Sequence, residues 1–221
     1  MPQKRNKKIL IYIFLFLIIG TFNNKYLNNI SFPKIDKILI NGIDDTKNLS
    51  LVEKLNFLRF KNLFFISKDE IIQILDQYNY IENYSIFKIY PSTLSIEISE
   101  TEFLAYTEKD NKFFFLGSNG KMIKTKKMTQ TLPFIFGKFK TSEFLELKDI
   151  IDNTNLSYFD IKNLFYFKSG RWDIETHSGF LIKLPKTEIK EALEMFIKMS
   201  TNKDKFNIID LRQTNQVIIS D

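Results

Sequence analysis

In the run Lys88-Ile89-Tyr90-Pro91-Ser92-Thr93-Leu94-Ser95-Ile96-Glu97-Ile98, a proline that cannot donate to a strand ladder precedes a strict alternation of apolar and polar side chains. Leu94, Ile96 and Ile98 fall on one side and Ser95, Glu97 and Ser99 on the other, the pattern of an antiparallel strand with one wet face. With Tyr84, Ile86 and Phe87 ahead of it, the run predicts two strands joined at Pro91, and therefore a sheet whose apolar side needs a cover. The preceding residues supply one. Ile35, Ile38 and Ile40 open an earlier strand ending at the turn pair Asn41-Gly42. Leu51, Val52, Leu55 and Leu58 make a helical stripe within 49–58. Ser67-Lys68-Asp69-Glu70 has the form of a capping box, Ser67 accepting the Glu70 amide and Glu70 reaching back, for a second helix with Ile71, Ile74, Leu75 and Tyr78 inward. Residues 34–102 thus read strand, helix, helix, strand, strand.

From 103 to 221 short strands alternate with two helices. Phe113 to Leu116 lead into Gly117-Ser118-Asn119-Gly120, a hairpin signal. A helix is predicted over 142–153, strands over 161–167, 171–175 and 180–184, and an amphipathic helix over 188–199 with Ile189, Ala192, Leu193 and Phe196 inward. Two final strands, 207–211 and 216–220, flank a Gln213-Thr214-Asn215 turn. The whole is an α+β chain.

Ahead of these modules, Ile9 to Phe22 carry no charge and span roughly 21 Å as a helix. Continued to Leu27 the helix reaches roughly 28 Å, close to a bilayer core of about 30 Å, with Lys7, Lys8 and Lys25 able to reach the interfaces. No Ala-X-Ala cleavage pattern follows the run, which favours an uncleaved anchor over 9–27 against a cleaved leader. Lys4, Arg5, Lys7 and Lys8 then hold residues 1–8 in the cytoplasm, and everything from about Asn28 is exported.

The net charge of +6 is no nucleic-acid signature, because four of those charges lie in the basic tail. Lys121, Lys124, Lys126 and Lys127 form a cluster that suits either an exposed loop or an anionic surface. The chain has no cysteine, so packing alone must stabilise it. The residues of catalysis are sparse: His177 is the sole histidine and sits in a turn, and Asp44-Asp45 reads as a solvated loop pair. No paired histidines and no glycine-rich phosphate loop are present. The expectation is a non-enzyme with no cofactor, metal, nucleic acid or small-molecule substrate.

A basic tail, one span, a strand-helix-helix-strand-strand module and a mixed β domain, in that order, resemble the bacterial cell division family FtsQ (DivIB in Gram-positives). The resemblance runs through Ile38-Leu39-Ile40-Asn41-Gly42, Asn62-Leu63-Phe64, 69–75, Tyr90 to Ile96, Gly117 to Gly120, Trp172, 179–184 and Ile209-Asp210-Leu211-Arg212. It implies a POTRA domain at 34–102 and an FtsQ/DivIB-type β domain at 103–221. It also implies an inner-membrane, mostly periplasmic protein at the division septum, which recruits FtsB and FtsL-like partners and regulates septal peptidoglycan synthesis. The partner contact falls on the last strand, Gln216, Val217, Ile218, Ile219 and Ser220, with Arg171, Arg212 and Gln213 nearby; Gln213 departs from the aromatic that the family places there. An uncharged strand near the chain end suits strand addition, although three consecutive apolar residues equally suit an interior strand. Trp172 fits either a contact hot spot or the core. The competing functional readings are a membrane-anchored cell-wall hydrolase and a POTRA-type transport accessory protein.

Overall fold

The computed structural model describes residues 3–22, 33–126, 132–199, 207–213 and 216–220. Helix α1 (Gln3–Phe22) comes first. Among the described residues no helix is long and apolar enough to cross a membrane. The expected anchor extends past Phe22 into residues outside the described ones.

The first sheet contains β1 (Lys37–Asn41), β2 (Ile81–Ile89) and β3 (Thr93–Glu100) in the order β1-β3-β2. Strand β3 is central, antiparallel to β2 and parallel to β1. The alternation read from its sequence explains why: Leu94 and Ile96 are fully buried and Ile98 nearly so. They pack with Leu51 and Leu55 of α2 (Asp45–Leu55) and Ile71 and Leu75 of α3 (Lys68–Leu75), all fully buried. Each such side chain contributes roughly 1.5–3 kcal/mol by leaving water.

Two local expectations are corrected. Helix α2 begins at Asp45, four residues before Leu49, because the Asp44 carboxylate accepts the Lys47 N–H at 3.0 Å. The acidic pair expected to be a solvated loop is therefore a helix start. Ser67 does cap α3, accepting from the Asp69 N–H at 3.1 Å, but the capping box does not form. Lys61 Nζ holds the Glu70 carboxylate at 2.6 and 2.8 Å instead. Both arrangements use the Glu70 carboxylate as a charged acceptor, and the Lys61 pair adds a charged donor and a second bond.

Among the described residues the second sheet has nine strands: β4 (Phe103–Lys109), β5 (Lys112–Gly117), β6 (Met122–Thr125), β7 (Phe134–Phe136), β8 (Ile161–Tyr166), β9 (Trp172–Thr176), β10 (Leu181–Lys183), β11 (Ile208–Asp210) and β12 (Ile218–Ser220). Their order is β12-β11-β10-β9-β8-β7-β4-β5-β6. Helices α4 (Thr141–Asp152) and α5 (Ile189–Met199) bury Phe144, Leu147, Ile151, Leu193 and Phe196 in one core with Ile135, Leu164, Ile174, Ile182 and Ile209 of the sheet. Trp172 belongs to this core, 3% exposed and 4.7 Å from the Tyr166 ring, which decides its role as packing. The opposite face carries an aromatic row in which Phe103 stacks on Phe115 at 4.7 Å and Phe136 on Phe165 at 5.0 Å.

The two modules meet through the Gly117–Gly120 turn. Asn119 Nδ2 donates to the carbonyls of Asn79 and Ile81, both at 2.9 Å, and Asn79 Nδ2 donates to the Met122 carbonyl at 2.9 Å. Ser118 Oγ reaches Glu82 at 2.9 Å. The contact lies where β2 begins and β3 ends, so the β2–β3 turn at Pro91 points away from the second module.

Gly42 has a φ of +91°, and a Cβ there would lie 1.8 Å from the Ile98 carbonyl oxygen; Gly179 has a φ of +92° with nothing within 4 Å. Both glycines would suffer backbone strain on substitution, but only Gly42 would push β1 off β3. Gly42→Ala is expected to lower stability by at least about 2 kcal/mol more than Gly179→Ala, as measured by urea unfolding followed with circular dichroism.

Candidate functional site

Among the described residues strand β12 has one neighbour, β11, with Ile208 opposite Ser220, Ile209 opposite Ile219 and Asp210 opposite Ile218. It ends the sheet. Its three residues are exposed, Ile218 at 52% and Ile219 at 43%, so the alternative of an interior strand with both faces buried does not hold. An edge strand presents alternate main-chain N–H and C=O groups outward. Successive side chains point to opposite faces, which puts Val217 and Ile219 on the core side. Val217 packs there against the core.

The register carries one row of side chains across four strands, Asp173, Lys183, Asp210 and Ile218, on the face away from the helices. Asp210 is fixed by Arg212, whose Nε donates to both carboxylate oxygens at 2.8 and 2.9 Å while the Arg212 N–H adds a third bond at 3.1 Å. These bonds hold the Asp210 carboxyl below its usual range, with Lys183 adding to the effect. Asp173 behaves oppositely: burial raises its pKa against the pull of Arg171, Lys183 and Arg212. Arg171 Nε bonds Asp173 at 3.3 Å and its guanidinium lies 4.6 Å over the Phe167 ring. Arg212 is thus beside the edge, while Arg171 sits by β9, three strand spacings or roughly 14 Å inward. Both belong to the same alternating charge row.

On the other face a groove of about 310 Å³ runs between α5 and the approach to β12, lined by Pro185, Glu188, Glu191, Ala192, Met195, Leu211, Gln213 and Gln216. It brings Gln213 and Gln216 together. Glu188, Glu191 and Met195 were not among the sequence candidates, although they follow the wet side of the amphipathic α5 stripe. Thr214 and Asn215 of the expected turn lie outside the described residues. His177 is exposed in the turn before Gly179, its N–H donating to the Asp160 carbonyl at 2.8 Å.

The family model for the C-terminal part of cell division protein FtsQ/DivIB matches residues 105–212, and the FtsQ-type POTRA domain model matches 34–101. The chain belongs to the FtsQ/DivIB family. It is 25% identical over 197 residues to the cell division protein FtsQ of Rickettsia typhi, covering 84% of this chain and 72% of that protein. It is 31% identical over 154 residues to the cell division protein DivIB of Clostridium botulinum strain Hall, covering 66% of this chain and 59% of that protein. The FtsQ/DivIB models together take in β1 to β11. The C-terminal model stops at Arg212, short of β12.

Asp210, with its depressed pKa, contributes stability that is present above the unfolded carboxylate value near 4 and lost as pH falls through the folded value. Asp173, with a raised pKa, disfavours the fold at neutral pH and relaxes on acidification. Asp210→Asn is expected to cost about 1 kcal/mol at pH 7, discounted because Arg212 is partly in solvent, with the gap closing as the pH falls through the folded value. Asp173→Asn should cost nothing measurable at pH 7, and urea midpoints across this pH range check both.

Proposed function

We propose that the chain is a membrane-tethered, non-catalytic scaffold of the division apparatus, recruiting FtsB and FtsL-like partners at the septum by strand addition to β12 and thereby regulating septal peptidoglycan synthesis. Its membership of a cell division family gives the process. The observation that carries the mechanism is that β12 ends the sheet with Ile218 and Ile219 exposed.

An inner-membrane anchor is part of this proposal, with residues 1–8 cytoplasmic and the two modules periplasmic. Support comes from α1, where Ile9 through Phe14 and Phe16 are each more than half exposed. A helix apolar on all sides that shows those side chains outward is suited to lipid.

Magnitudes make the anchor matter. Outside its pairing with β11 a strand this short offers roughly two or three main-chain bonds, about 1 kcal/mol net each, because the Ser220 carbonyl already accepts the Asn207 N–H at 3.2 Å. Association costs at least about 4 kcal/mol. Strand addition alone would barely hold a partner, so side chains seated in the α5 groove and a shared membrane must contribute. Partners co-anchored in one bilayer meet at a high effective concentration. Glu188 and Glu191 on the groove rim favour a partner with basic residues flanking its added strand.

Ile218→Pro removes one strand donor and inserts a ring at the rim. Co-purification from membranes of an FtsB/FtsL-like pair is expected to fall at least about tenfold, equivalent to ~1.4 kcal/mol, with the circular dichroism spectrum unchanged. Undiminished recovery rejects strand addition.

A further inference from the structure

The end of the first module that faces away from the second carries a cluster of exposed aromatic and aliphatic side chains outside the module's core. Phe60 is 75% exposed, Phe65 79%, Tyr90 53%, Ile89 50%, Phe64 48% and Phe57 42%. Apolar surface concentrated in this way marks a contact site.

The backbone collects them at one place. The Ile35 N–H donates to the Lys61 carbonyl at 3.1 Å, Lys34 and Asn62 form a bridge, and the Asp36 N–H donates to the Ser92 carbonyl at 2.8 Å. These bonds draw together the start of the module, the Phe57–Phe65 stretch and the β2–β3 turn. The Tyr90 ring lies 4.5 Å from that of Phe64. This is also the end at which the chain arrives from α1. Eleven residues lie between Phe22 and Lys34, a step of at most roughly 40 Å.

The local charge matches. Lys88 Nζ donates to the Ile66 carbonyl at 2.8 Å and Arg59 donates to the Asp36 carbonyl at 2.9 Å, so main-chain oxygens hold both cations at the cluster. Lys34 and Lys37 add exposed positive charge beside them. Large aromatics interleaved with lysine and arginine are the composition of surfaces that settle into the headgroup layer, where rings enter the acyl boundary and cations meet phosphates.

We infer that this aromatic and basic tip docks on the phospholipid bilayer surface, setting the first module upright on the membrane with the second held away from it. The inference rests on the anchor proposed above for the tip's position, while its chemistry can be tested separately.

The test uses the full chain in vesicles of phosphatidylethanolamine and phosphatidylglycerol whose acyl chains are brominated near the headgroup. Trp172 is buried in the second module, so a tryptophan placed at Phe60 reports locally. Phe60→Trp emission is expected to drop at least about twofold on bromination, whereas Phe159→Trp, at a site 82% exposed in the second module, stays within the change of the parent chain. Quenching of Phe60→Trp no greater than that of Phe159→Trp overturns the inference and leaves the cluster to a protein partner. Alkaline carbonate extraction of the same vesicles reports on the anchor alone. Release with Phe60→Trp quenching intact sinks the anchor and keeps the docking; retention without quenching does the reverse.

Discussion

Main-chain hydrogen bonding governs how this chain can be used. Every buried amide and carbonyl must find a partner, and a sheet achieves this by giving each strand two neighbours until it runs out of strands. Among the described residues of the second module the succession ends at β12, laid against β11. The packing of α4 and α5 on one face fixes the other eight strands and leaves this last one as an appendage. Its placement, more than any particular side chain, is what supports the docking reading.

Charge placement refines that view. Across β9, β10 and β11 the row Asp173, Lys183, Asp210 is completed by Arg171 at one end and Arg212 at the other. Opposite signs alternate, so each carboxylate has a cation beside it. The arginines are thereby committed to carboxylates two residues away along their own stretches of chain, and a partner would have to compete for them. Among the described residues Glu188 and Glu191 on the acidic rim of the α5 groove make no such ion pair, which makes that face the better source of selectivity.

Much of this was legible in the residues. The alternation of Leu94, Ile96 and Ile98 gave a half-buried strand, and Ile189, Ala192, Leu193 and Phe196 gave α5, because both patterns repeat over enough positions to be read. Strand β7 is three residues long, too short for any period to show. Strand β4 was missed although Asp110 and Asn111, with φ of 52° and 56°, form the tight turn into β5; their turn chemistry was present and unread. The Lys61–Glu70 pair that replaced the capping box joins residues nine apart, which no local motif encodes. For the site, the apolar run at 217–219 was visible, but its position at the rim is a property of strand order. The groove beside it exists only once α5 is folded against Leu211.

The parallel pairing of β1 with β3 has a mechanical side. The chain comes into β1 at the aromatic tip and leaves β3 at the opposite end, and the two strands lie side by side in five register pairs from Lys37 with Thr93 to Asn41 with Glu97. A pull between bilayer and second module therefore loads those pairs together in shear, not one after another as in a zipper. A protein held at a constricting envelope would in this way carry its own tension bearing, built from the very sheet that separates its two ends.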